Sequence, residues 1–367
     1  MKIPFFNYPD LFKNNKNDLI KIFEDVGNRG AFILQKDLSD FENNLAKYTG
    51  AKYAIGVGNA TDGLQLSLMA GELESNSEVI ISSHTMIATA SAINHIGSVP
   101  KPVEAGEDLM IDYNEIEKAI NDKTRAIMPT HLNGRTCNMD KIQLIADKYN
   151  LDIYEDAAQA LGSTFKGKSA GTFGIAAAIS FYPAKNLGSL GDAGAILTNS
   201  DHIYEKILML RDHGRDPKTG DVKCWGVNSR MDNLQAAFLN FMLSNYDKIV
   251  SRRREIAKLY DSELRSIEQI KLPPAPSNGD HFDVFQNYEI QAENRNQLRE
   301  YLHDCGIGSM IQWSGKAIHQ FRNLGFKENC PYTDGLFEKI LMIPLNMFIS
   351  DDDVFEIIKT IKNFYNK

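Results

Sequence analysis

Apolar residues recur along this chain at two spacings, and the alternation between them predicts its architecture. Leu38, Phe41, Leu45 and Tyr48 share one face at helical spacing, so residues 37–48 are expected to form a helix, with Ser39 and Glu42 as a capping box and Gly50 past its end. Short apolar runs then alternate with helical patterns. Strands are expected at 53–57, 78–82, 126–130, 152–155, 175–181 and 195–198, and helices at 62–70 and 85–96. A further helix precedes residue 152, with Ile142, Leu144, Ile145 and Tyr149 on one face. Strands separated by helices imply an α/β fold with a mostly parallel sheet. The run 175–181 is so rich in alanine that something bulky is expected to pack against it.

The pattern changes after residue 200. Helices are expected at 231–243 and 256–264, followed by LPPAPSNGDHF (272–282), the densest Pro/Gly/Ser/Asn stretch in the chain. That stretch is the expected division between a large domain with an N-terminal arm, 1–271, and a smaller C-terminal domain, 272–367. In the smaller part VFQNYEIQ reads as a strand and 294–305 and 351–365 as helices, a small α+β unit.

Composition narrows the function classes. With 43% hydrophobic and 24% charged residues in 367, the chain can bury two cores, and disorder is excluded. Its net charge of −8 argues against nucleic acid or an anionic membrane as partner, though not against one locally basic pocket. Four scattered cysteines, with no C-x-x-C pair, argue against zinc and against a disulfide framework, so no metal is expected. No window approaches a membrane span, and the N-terminus turns polar too soon for a signal peptide, so a cytoplasmic location is expected.

In open α/β sheets ligands gather beyond the carboxyl ends of the strands, which directs attention to the residues just after each one. Gly56-Val57-Gly58-Asn59-Ala60-Thr61-Asp62-Gly63 leads from a strand into a helix start, where free N–H groups and Thr61 can hold a phosphate or simply cap the helix. In Tyr154-Glu155-Asp156, one carboxylate can cap the next helix. A buried Asp156 would instead need a cationic partner. Lys185 follows Ser180-Phe181-Tyr182-Pro183-Ala184 and precedes the Gly-rich Gly188–Gly194 turn; partial desolvation there would disfavour its ammonium form. Taken alone, such a lysine is more often a solvated surface charge.

Phosphate-binding turn, strand-end Asp, hydroxyl, Pro-x-Lys and Gly-rich turn, in that order, are what pyridoxal phosphate requires. The chain resembles the DegT/DnrJ/EryC1/StrS family of PLP-dependent nucleotide-sugar aminotransferases, of fold type I. The resemblance is carried by GAFILQKDLSDFE, YTGAKYAIGVGNATDGLQLSL, HTMIATASAI, THLNGRTCNMD, the run from YEDAAQALGS through SFYPAKNLGSLGDAGAILTN, RDHGRD and VNSRMDNLQAAFL. It implies a large domain built on a mostly parallel seven-stranded sheet flanked by helices, plus a smaller α+β domain.

It also implies roles. Lys185 resembles the Schiff-base lysine and Asp156 the carboxylate that keeps the pyridine nitrogen protonated. Gln159 resembles a residue beside the cofactor ring, and Ser180, Ala60 and Thr61 resemble the phosphate site. Asn228 matches the residue that reaches the phosphate from a neighbouring subunit, which implies a homodimer with shared sites; it could equally cap a helix. L-glutamate would donate the amino group, and a UDP- or dTDP-linked 3-keto or 4-keto hexose would receive it. The amino sugar would enter a surface glycan such as lipopolysaccharide O-antigen.

Two departures concern the pocket. Met86 stands where the family usually has a ring-stacking aromatic, with His84 close by, and either could cover the ring. Asn133 and the segment Gln312-Trp313-Ser314-Gly315-Lys316 depart from the family pattern where the sugar binds. They imply an altered hexose pocket, for which Asn133, Trp313, Lys316, Arg230, His84 and His319 are candidates. Lys36 and Arg29 join Arg230 and Lys316 as candidates for the diphosphate, each also readable as plain surface charge. A dinucleotide oxidoreductase is disfavoured because Gly56, Gly58 and Gly63 do not form G-x-G-x-x-G. A non-catalytic sensor or scaffold of the same fold would not need Lys185, Asp156 and Asn228 together.

Overall fold

A near-continuous apolar run requires cover on both faces, and the main sheet provides it. The computed structural model describes residues 1–366. In chain order its strands are β1 (Tyr53–Val57), β2 (Glu78–Ser82), β3 (Val99–Val103), β4 (Thr124–Met128), β5 (Asp152–Asp156), the short β6 (Thr164–Phe165) and β7 (Lys168–Ser169), β8 (Ala176–Ser180), β9 (Gly194–Thr198), β10 (Ile270–Lys271), β11 (His281–Phe282), β12 (Tyr288–Ala292) and β13 (Ile340–Ile343). The helices are α1 (Tyr8–Arg29), α2 (Lys36–Thr49), α3 (Ala60–Ala70), α4 (Ile87–His95), α5 (Tyr113–Ala119), α6 (Met139–Tyr149), α7 (Asp201–Leu210), α8 (Asn233–Leu243), α9 (Tyr246–Leu264), α10 (Arg295–Asp304), α11 (Pro331–Lys339) and α12 (Asp351–Tyr365).

Among the described residues the main sheet has seven strands in the order β1-β9-β8-β5-β4-β2-β3, and only β9 runs against the rest. This is the expected mostly parallel α/β sheet. The unexpected β3 carries two prolines in VPKPV, which lack the N–H a ladder needs, and it sits at the sheet edge where that is tolerated. A second sheet, β10-β12-β13, shares one core with α10 and α12. Its core also takes in Ile256, Tyr260, Leu264 and Ile270, all ahead of residue 272, and Ile3 from the chain start.

What packs against the alanine-rich β8 is a whole helix, as its small side chains imply: α3 approaches so near that a Cβ on Gly63 would lie 3.1 Å from that of Ala178. Several local expectations are corrected. The capping box of α2 does not form. The helix starts at Lys36, one residue after Gln35, so Ser39 falls inside the first turn. Glu42 instead accepts from the Gly56 N–H at 2.8 Å and the Arg211 guanidinium at 2.6 Å. On α6 the buried face is Met139, Ile142 and Ala146, and Leu144 is 64% exposed. Residues 8–29, expected only as an arm, form the 22-residue α1, capped by Asn7 and ended by the left-handed Gly30. Only Leu19 and Val26 are buried along it; Tyr8, Phe12, Ile20 and Phe23 are exposed, so much of its apolar surface has no cover within the chain.

Cys137 and Cys330 are buried thiols, and Cys224 and Cys305 are exposed ones. Among the described residues no helix is long and apolar enough to cross a membrane, and no group of three or more His, Cys, Asp or Glu is placed to hold a metal.

The start of α3 abuts β9. A Cβ on Gly194 would lie 2.5 Å from the Asn59 carbonyl carbon and 2.7 Å from the Ala60 nitrogen, backbone atoms that can yield only if the helix start moves. Gly194→Ala is therefore expected to lower the unfolding free energy in urea by about 1–3 kcal/mol. Gly27→Ala, with open space around it inside α1, is expected to raise it by about 0.5–1 kcal/mol. Equal stability of the two variants would contradict this packing.

Candidate active site

Successive side chains on a strand point to opposite faces, so the adjacent carboxylates that end β5 serve different surroundings. Glu155 is fully buried and satisfied. It accepts from the N–H groups of Phe173 and Gly174 at 2.7 Å, from Gly171 at 2.8 Å and from His131 Nε2 at 2.8 Å. His131 Nδ1 accepts from Cys137 N–H, which places the ring proton on Nε2. Asp156, 4% exposed, accepts from the Thr89 hydroxyl at 2.6 Å and the Ala158 N–H at 3.2 Å, both neutral donors. Thr89 continues a chain of buried hydroxyls through Thr85 to Thr130, each step 2.8 Å.

Asp156 opens into a cavity of about 520 Å³ at the carboxyl edge of the sheet. All the residues expected to touch a cofactor except Asn228 line it: Ala60, Thr61, Met86, Asp156, Gln159, Ser180 and Lys185. Lys185 stands on a tight turn after β8. Its N–H donates to the Tyr182 carbonyl at 2.8 Å, and the Ser189 N–H returns to Phe181 at 2.8 Å. A Cβ at Gly188 would meet the Pro183 oxygen at 2.6 Å, so only glycine closes the turn. Lys185 keeps some accessible area, but its amine sits deep among protein atoms. Burial pushes its pKa down to about 8, opposed by the charge of Asp156.

Opposite the lysine, Asn59 caps α3 by accepting from the Asp62 N–H at 2.9 Å, which leaves the first N–H groups, on Ala60 and Thr61, without intrahelical partners at the positive end of the helix. Ser180 accepts from the Tyr182 N–H at 3.3 Å, leaving its own proton to donate. Met86, half exposed, precedes α4 and supplies a thioether to the cavity wall. Gln159 accepts from the Asn133 N–H at 2.8 Å.

The candidates for the sugar and its nucleotide are mostly not brought together. Trp313 lines the cavity, held in a left-handed conformation at φ 46°. His84 does not: it is fully buried edge-on to Trp313 and Phe337, 3.6 Å from Glu289, and cannot cover a ring in the cavity. Asn133, also left-handed, lies outside the lining and spends its amide on Glu289, Asn287 and Gln312. His319 is buried, bridging Ser83 and Asp334, and is not the surface histidine its sequence suggests. Arg230 pairs with Asp212, Arg29 with Asp25 and Asp37, and Lys36 with Asp40. Lys316 is exposed and outside the cavity lining. Asn228 is also exposed, bridging to Asp212 away from the cavity of its own chain.

Sequence reasoning missed Thr85, Thr89, Tyr182 and Asp192. The Thr85–Thr89 spacing of four was a usable signal, since it stacks two hydroxyls on one side of a helix start. Tyr182 and Asp192 lie inside motifs already singled out for Lys185.

Residues 13–362 match the DegT/DnrJ/EryC1/StrS aminotransferase family. The chain is 35% identical, over 99% of both sequences, to a dTDP-3-amino-3,6-dideoxy-alpha-D-galactopyranose transaminase of Aneurinibacillus thermoaerophilus. It is 33% identical to a pleiotropic regulatory protein of Geobacillus stearothermophilus, covering all of this chain and 99% of the other. The solved structure of Streptomyces venezuelae DesV in complex with a ketimine intermediate superposes with a TM-score of 0.95 at 32% identity, covering 100% of this chain and 99% of that one. The chain belongs to the DegT/DnrJ/EryC1/StrS aminotransferase family and is a sugar aminotransferase dependent on pyridoxal 5′-phosphate. The cavity fits that cofactor: a buried carboxylate bonded to neutral donors alone, an open helix N-terminus and a desolvated lysine face one space.

Because burial disfavours the ammonium, the neutral fraction of Lys185 rises as pH rises through about 8. In cofactor-free protein, labelling of Lys185 by an amine-reactive reagent, read by mass mapping, is expected to be half-maximal near that pH. A midpoint at the ordinary value of about 10.4 would show that the amine is solvated.

Proposed function

We propose that this enzyme transfers an amino group from L-glutamate to a UDP- or dTDP-linked 3-keto or 4-keto hexose, with Lys185 as nucleophile and proton carrier. The observation that carries this reading is that Lys185 and Asp156 share one cavity with the open end of α3. The bound cofactor supplies an electron sink for the carbanion formed at the donor α-carbon. Asp156, oriented by the Thr89 hydroxyl and the Ala158 N–H, would be the carboxylate available to the cofactor's ring nitrogen. The N–H groups of Ala60 and Thr61 and the hydroxyl of Ser180 would hold the phosphate, and Met86 would offer its polarisable sulfur to the ring.

A neutral amine is both a nucleophile and a base. Lys185 becomes neutral near pH 8, so it can take the proton from the donor carbon and later deliver one to the sugar carbon. Trp313 borders the space left for the hexose. Asn228, exposed and remote from its own cavity, serves the cavity of a partner subunit, so the working unit is a homodimer with shared sites. The product serves a surface glycan such as O-antigen. The regulatory name of the Geobacillus relative suits a sensor, yet a sensor has no use for a desolvated lysine amine beside Asp156.

Borohydride treatment of the cofactor-loaded protein is expected to tag the peptide bearing Lys185 and no other. Glutamate should bleach the visible band, and a nucleotide-linked keto hexose should restore it. Lys185→Ala is expected to lose both half-reactions by more than about 10³-fold. A tag elsewhere, or inactivity across a panel of 3-keto and 4-keto hexoses with both nucleotides, would overturn the assignment.

A further inference from the structure

The turn that carries Lys185 leaves two backbone groups unpaired within itself, the carbonyl of Ala184 and the N–H of Asn186, one on each side of the lysine. Both are taken by one side chain from about a hundred residues away. Gln286 Nε2 donates to the Ala184 oxygen at 2.8 Å, and Gln286 Oε1 accepts from the Asn186 N–H at 2.8 Å. A primary amide has one donor group and one acceptor, so it suits this pair of partners; a carboxylate lacks the donor, and a thioether has no donor and only a weak acceptor.

Gln286 is itself fixed from two directions. Its N–H donates to the Asn133 carbonyl at 2.9 Å, and its carbonyl accepts from Arg253 Nη1 at 3.0 Å. The two loops touch closely here: a Cβ on Gly134 would lie 2.6 Å from the Gln286 nitrogen. Asn133 in turn donates its N–H to Gln159, on the far wall of the cavity. Gln286 thus stands between the lysine turn and the residue that sets Gln159, and it belongs to the segment leading into the second sheet.

We propose that Gln286 is a positioning residue for Lys185: its side-chain amide grips the backbone on both flanks of the lysine and holds the amine in register with Asp156 and Gln159. This rests on the reading of Lys185 as the reacting amine. Gln286 touches neither substrate nor cofactor and acts only through the turn.

The test compares wild type, Gln286→Met and Gln286→Glu as cofactor-loaded proteins well below their melting temperatures. Displacement of a catalytic group by about 1 Å costs about 10²-fold, so Gln286→Met is expected to lose about that much kcat, with KM for glutamate within about threefold of wild type. In the cofactor-free protein the same variant should raise the midpoint of Lys185 labelling above its wild-type value. Gln286→Glu has an internal control: protonating the new carboxyl restores a donor for Ala184, so its rate relative to wild type is expected to rise between about pH 8 and about pH 6. A Gln286→Met enzyme within about twofold of wild-type kcat overturns the proposal, as does a flat pH ratio for Gln286→Glu. If Gln286→Met does not fold, the pH ratio of Gln286→Glu decides alone. A wild type that takes no borohydride tag at Lys185 sinks the transamination reading instead, which keeps the two failures apart.

Discussion

The protonation of the Lys185 amine is set by its burial and by the carboxylate of Asp156. Burial drives the proton off the amine and the carboxylate draws it back. Burial is the larger effect, which leaves the amine near pH 8. The rest of the cavity follows from keeping both groups dry and close. Asp156 can stay almost wholly buried because Thr89 and Ala158 donate to it. Thr89 is oriented in turn by hydroxyls anchored at the start of α4 and beyond the end of β4. Such a chain fixes the direction of each O–H, so the field at the carboxylate is set before any ligand arrives.

Glu155 shows what the same residue type does when no ligand is meant to meet it. One position earlier on β5 it faces the other side, where three backbone N–H groups and His131 fill its oxygens. Three of these four bonds fasten the loop 171–174 to β5, which is a structural task. A carboxylate with all its acceptor sites occupied has none left for a cofactor nitrogen. The division of labour between neighbouring acids comes from the pleat of the strand and from which face the polypeptide has already covered.

The alternation of strands and helices was legible because buried strands and amphipathic helices leave different spacings, and the site was legible because its residues follow strand ends. What escaped had a physical reason. α1 buries two of its 22 residues and its apolar pattern is interrupted by the polar run Lys13–Asp18, while β3 tolerates prolines that argue against a strand anywhere but an edge. Seven cofactor candidates converge on one cavity because backbone geometry near the cofactor is local to each motif. The hexose candidates scatter because their directions depend on tertiary packing. His84 turns into the wall behind Trp313, and Asn133 turns toward Glu289. Gln286 gave no signal at all, since its partners lie a hundred residues away.

The charge of the cavity constrains how an anionic cofactor and a nucleotide diphosphate can both be held. Among the described residues its lining offers one cation, Lys185, against Asp62, Asp156 and Asp192, in a chain of net charge −8. Asp62, in the first turn of α3, accepts from the Ser229 hydroxyl at 2.7 Å. A phosphate in this cavity must therefore be met chiefly by N–H dipoles and hydroxyls, whose effect is strong because water is excluded. The diphosphate needs free cations outside the lining. Arg29, Lys36 and Arg230 are each committed to a carboxylate, and His319 is buried between Ser83 and Asp334. Among these candidates Lys316 alone keeps an exposed ammonium free of an ion pair among the described residues. It lies three residues from Trp313, which lines the cavity, so on the proposed function it is the cation that would draw a nucleotide toward that side.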